Sequence, residues 1–99
     1  MKQVDRIRKM ESIMDNAKAA IDRLDGALEE YNALKKDIDK LAAYYESQQW
    51  LKDFTDDEKG KLPTDLKRGV LSEDGVYDLL EDERELIGKL LKTVNGYIK

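Results

Sequence analysis

Residues 7–45, IRKMESIMDNAKAAIDRLDGALEEYNALKKDIDKLAAYY, decide the fold of this chain. Ile7, Met10, Met14, Ala17, Ile21, Leu24, Leu28 and Tyr31 advance by alternating steps of three and four residues, which lines one face of a helix. A second apolar column, Ile13, Ala20, Ala27, Leu34 and Leu41, recurs beside it at the heptad spacing. The face is therefore wider than a bare coiled-coil seam and suits a bundle interior. Past Tyr31 the seam passes to Leu34, Ile38, Leu41 and Tyr45, while Lys35 stands where the first column would have continued. Two three-residue steps in succession, Leu28 to Tyr31 to Leu34, overwind such a seam or mark a break.

Asp25-Gly26 is the candidate turn upstream of that shift. A break there would give a three-helix bundle. However, Ala27, Leu28, Glu29 and Glu30 offer no side chain to cap a restarting helix, and a lone glycine costs only about 1 kcal/mol. The preferred reading is one long helix from about residue 3 to about residue 50. Beyond it, Thr55 followed by Asp56, Asp57 and Glu58 has the form of a capping box opening a short helical turn. Gly60 would close that turn and Pro63 would prevent its return. Gly69 would permit a tight or positive-φ turn, Leu66 and Leu71 would plug the bundle end, and Ser72 would cap the last helix. That helix is expected over about residues 73–95, with Val76, Leu79, Leu80, Leu86, Ile87, Leu90, Leu91 and Val94 as its apolar stripe and Asn95-Gly96 as its stop. The expectation is an all-α single domain, 1–99, in which the last helix packs antiparallel on the first. It is about half as long as its partner, which leaves part of the long helix for a second copy to cover as a homodimer.

Composition removes several function classes. Charged residues make up 40% of the chain, above the roughly 25% usual in globular proteins, and they interleave with Leu, Ile and Ala as on exposed helix faces. A net charge of −4 argues against nucleic-acid binding, which needs Lys and Arg to neutralise phosphates. No apolar run approaches the roughly 20 residues of a membrane span, and the opening MKQVDR lacks the apolar stretch of a secretory signal. With no cysteine present, the expected setting is the cytoplasm.

Catalytic equipment is equally sparse. Histidine, the commonest general base and transition-metal ligand, is missing together with cysteine, so zinc, haem and iron–sulfur sites have almost no ligands to draw on. The six glycines form neither GxxxxGK[ST] nor GxGxxG, and Ser12, Ser47 and Ser72 lie in no nucleophile motif. The expectation is a protein without catalytic residues, metal or cofactor. Asp53, Asp56, Asp57 and Glu58 could offer oxygen ligands to a hard cation, but their spacing is not that of a calcium loop, and a helix cap with a solvated acidic corner explains them. Lys59, Lys61, Lys67 and Arg68 follow at once and can pair with that corner. Tyr44, Tyr45, Trp50 and Phe54 crowd the same segment; Tyr45 and Trp50 are expected to anchor the connector onto the bundle end, with a partner groove as the other use of such residues. Tyr45, Trp50, Asp53, Lys67, Arg68, Gly69 and Tyr77 are thus the candidate partner-contact residues.

The strings LAAYY (41–45), WLKD (50–53), GKLP (60–63), DLKRGVLSED (65–74) and VYDLL (76–80) resemble a family of small bacterial proteins, domain of unknown function 4298. The opening RIRKME (6–11) is also similar to the family's start, so the likeness runs nearly the length of the chain. The resemblance implies a bacterial, cytoplasmic, helical protein and carries no activity with it. The functional expectation is a non-enzymatic adaptor or regulator acting through an unidentified protein partner and through self-association. Alternatives are a bacteriocin-immunity-like or stress-related bundle, by analogy of size and charge, and an enzyme using the 53–58 carboxylates with a divalent cation.

Overall fold

The computed structural model describes residues 2–98, and they form an all-α fold: α1 (Lys2–Tyr45), α2 (Gln48–Glu58), a single 3-10 turn η1 (Gly69–Leu71) and α3 (Gly75–Ile98). The chain divides into two compact units, one ending at Lys36 and the other starting at Asp37. The first is α1 alone as far as Lys36. The second holds the last turns of α1 with α2, η1 and α3.

The first unit is an uninterrupted helix through Gly26, where an added Cβ would meet nothing. The break expected as an alternative at Asp25-Gly26 does not occur, because the flanking Ala, Leu and Glu residues outweigh one glycine. Every residue from Lys2 to Glu30 is exposed, including Ile7, Met14, Ile21 and Leu24 of the heptad face.

α1 instead ends at Tyr45, five residues earlier than expected, and the cause is Ser47. Its hydroxyl donates to the Tyr44 carbonyl at 2.6 Å and accepts from the Trp50 amide at 3.1 Å. One side chain thus ties off a carbonyl at the C-terminus of α1 and caps the N-terminus of α2. Thr55, read as a cap, lies inside α2 instead, and Trp50 belongs to α2 rather than to the end of the long helix. The third helix of the fold arises here and not at Gly26.

Gly60 stops α2 as expected. At φ 71° it occupies the left-handed region, its amide reaches the Asp57 carbonyl, and the Lys61 amide reaches that of Asp56. This is the pair of bonds of a Schellman motif. After Pro63 the chain turns into η1, and the Ser72 hydroxyl accepts from the Gly75 amide at 2.9 Å to start α3. Asn95-Gly96 does not stop α3, which continues to Ile98.

Within the second unit the Tyr45 hydroxyl reaches Glu73 just ahead of α3, and Leu41, a turn earlier in α1, lines a groove together with Val76 and Leu79 of α3. Among the described residues only Leu71 and Val76 are buried. Of the two leucines expected to plug the bundle end, Leu71 is buried whereas Leu66 remains 45% exposed.

Candidate functional site

Residues 46–74, between α1 and α3, form the connector, and its residues explain why it holds one shape. Trp50 and Phe54 are one turn apart on α2, so their rings stack at 5.0 Å with an interplanar angle of 19°. Tyr45, at the end of α1, meets the Trp50 ring edge-on at 5.2 Å and 75°. Both geometries suit aromatic quadrupoles. Each polar tip then reaches across to a backbone carbonyl: the Trp50 indole donates to Val70 at 2.8 Å and the Tyr45 hydroxyl to Glu73 at 3.0 Å. Tyr45 and Trp50 therefore anchor the connector, as the sequence suggested.

Arg68 is the second fastener. Its Nε donates to Asp57 at 2.7 Å, and Nη2 and Nη1 donate to the carbonyls of Pro63 at 2.7 Å and Thr64 at 3.4 Å. One planar guanidinium thus clamps the end of α2 to the turn after Pro63, work that a lysine could not do with a point charge. The acidic corner is similarly occupied. Asp53 accepts from the Tyr44 hydroxyl at 2.7 Å, and Asp56 pairs with Lys52 at 3.0 Å. Burial, then the Asp53 hydrogen bond and its charge, pushes the Tyr44 phenol up to about 12. The hydrogen bond to Asp56, reinforced by its charge, raises the pKa of Lys52, and the same hydrogen bond lowers that of Asp56. Among the described residues no group of three or more His, Cys, Asp or Glu is placed to hold a metal ion. No described helix is long and apolar enough to cross a membrane.

Beside this lock lies an apolar groove of about 520 Å³ lined by Leu41, Lys67, Gly69, Val70, Gly75, Val76 and Leu79. Its wall exists because α3 begins close against η1. A Cβ on Gly75 would stand 2.5 Å from the Gly69 carbonyl oxygen and 2.6 Å from the Ser72 hydroxyl. Gly75 is a position that sequence reasoning missed; the signal was a glycine in the first turn of a helix, two residues past the Ser72-Glu73 cap. Gly69 opens the tight 3-10 turn, one of the two turns expected there, without a positive φ, and a Cβ there meets nothing. Its part is its carbonyl, which accepts both the amide and the hydroxyl of Ser72.

The seven candidate contact residues thus separate. Tyr45, Trp50, Asp53 and Arg68 have their polar groups engaged inside the connector, Gly69 and Lys67 line the groove, and Tyr77 stands on α3 with 55% of its surface exposed.

These features define an all-α protein organised around a connector fastened by an aromatic cluster and an arginine clamp. Residues 7–93 match the model of the family described as Domain of unknown function (DUF4298), and the chain belongs to that family. No curated protein and no solved structure matches the chain. The family match takes in the whole connector and agrees with the resemblance carried by residues 41–80.

Proposed function

We propose that this chain is a non-enzymatic interaction protein of the bacterial cytoplasm, an adaptor or regulator that presents apolar helix faces to a protein partner and also self-associates as a coiled-coil homodimer. The observation that carries the reading is the bare heptad face. No described residue of the 44-residue α1 is buried, although Met14 is 58% and Ile21 65% exposed along one stripe. α3 adds Leu86, Leu91 and Val94, each half exposed or more. Contiguous apolar surface beyond a few hundred Å² is uncommon on a protein that works alone and marks a contact surface.

Photo-crosslinkers placed at exposed positions of α1 and α3 in cells, followed by mass spectrometry, test the reading. A reproducible crosslink to one other protein is the expected result. Recovery of nothing but self-contacts would count against an adaptor role. The connector is probed separately by pull-down with Lys67→Glu and Tyr77→Ala, since neither substitution removes one of the fasteners of the connector.

A further inference from the structure

The segregation of charge along the length of α1 indicates what one occupant of its bare face is. Residues 2–9 carry Lys2, Arg6, Arg8 and Lys9 against Asp5, a net +3; residues 22–30 carry Asp22, Asp25, Glu29 and Glu30 against Arg23, a net −3. A second α1 laid alongside in the same direction stacks like on like. Laid in the opposite direction, it sets each block against its complement. We propose that residues 3–28 of α1 pair antiparallel with the same stretch of a second copy, about a two-fold axis between Asp15 and Asn16. This deepens the interaction reading above and rests on it.

The register follows from the heptad. In an antiparallel pair each core position of one phase faces a core position of the other. About this axis Ile7 faces Leu24, Met10 faces Ile21, and Met14 faces Ala17 of the second copy. The adjoining column sets Ile13 over Ala20. Large side chains therefore meet small ones near the axis, which lets the helices approach. On the other flank Glu11 faces Lys18, and symmetry repeats the pair. Sliding by one heptad in either direction brings Lys18 against Lys18 or Glu11 against Glu11, so like charges disfavour both neighbouring registers. Ile7, Met10, Ile13, Met14, Ile21, Leu24 and Leu28 are each between 39% and 65% exposed. Covering them on both copies removes on the order of 1,000 Å² from water, at the threshold of a specific interface.

Because the 99-residue sequence contains no cysteine, the chain can be tested by disulfide trapping. Ile7→Cys protein, isotopically labelled, is mixed with unlabelled Leu24→Cys protein under mild oxidation; both positions are 51% exposed. The mixed disulfide is expected to dominate. Predominant Ile7→Cys and Leu24→Cys homodisulfides would mean parallel pairing and overturn the proposal. Sedimentation of the unmodified chain as a monomer at high micromolar concentration also overturns it, while crosslinks to a different protein in cells would leave the adaptor reading standing. As a second arm, Glu11→Lys should weaken self-association about tenfold by turning two attractive pairs repulsive, and adding Lys18→Glu should restore it. Failure of the second substitution to restore pairing overturns the register.

Discussion

Replacing Gly75 with alanine should unlock the connector, and the size of the effect follows from two distances. The new Cβ would stand 2.5 Å from the backbone oxygen of Gly69 and 2.6 Å from the Ser72 hydroxyl. The serine could rotate away, but only by giving up its bond to the Gly75 amide, and the Gly69 oxygen is backbone held by the Ser72 amide. Overpacking of this kind costs about 1–3 kcal/mol. Alanine returns about 0.5–1 kcal/mol as the better helix former. The net loss centres on about 1 kcal/mol, or roughly 4–8 °C in Tm in a unit of this size. Gly69→Ala is the matched control, since its Cβ meets nothing and no positive φ is required there. Trp50, the single tryptophan, donates to the Val70 carbonyl inside η1, so its fluorescence on heating or in urea reports this segment directly. Equal midpoints for the two alanine variants would refute the reasoning.

Three further outcomes are expected. Trp50→Phe keeps a ring to stack on Phe54 but loses the bond to Val70, and should destabilise η1 by about 1 kcal/mol, measured as faster amide exchange at residues 69–72. Arg68→Lys should lower connector stability by about 1–2 kcal/mol in urea denaturation and do little better than Arg68→Ala, because the bonds to Asp57 and Pro63 need the planar fork. Tyr44 has its folded pKa pushed above the ordinary 10.0 to about 12, so its bond to Asp53 contributes fully below pH 10 and is lost as pH rises from there through about 12. Phenolate absorbance should show a late contribution from Tyr44, and Tyr44→Phe should remove it.

Why some of this was legible and some was not can be argued from particular residues. The heptad gave α1 because a periodic pattern repeated over many turns outweighs any single residue, which is also why Gly26 failed to break it. The same strength misplaced the end of the helix. Leu41 and Tyr45 continue the pattern up to Ser47, and the pattern has no way of showing that one hydroxyl bonds the Tyr44 carbonyl and the Trp50 amide at once. Gly60 was legible because its left-handed turn is a local demand. Gly75 was not, because its constraint is a carbonyl six residues earlier, brought close only by the fold of η1. Trp50 and Tyr45 were placed correctly as anchors by their amphipathic chemistry, but their acceptors, Val70 and Glu73, are backbone atoms that side-chain patterns do not mark.

The division of labour between side chains bears on how recognition by this chain should be mapped. Aromatic and arginine residues are the usual energetic centres of a binding surface, and on composition alone Trp50 and Arg68 would be the first to substitute. Both have their polar groups committed inside the connector, so alanine at either position would loosen the segment whether or not a partner touches it. Loss of binding in such variants would report folding. The informative positions are the ones the fold leaves idle: Tyr77 on α3, Lys67 at the groove, and the apolar stripe of α1 from Ile7 to Leu28. A binding defect that appears there with Trp50 fluorescence and Tm unchanged belongs to the contact itself, and that separation is available because the connector supplies its own tryptophan reporter.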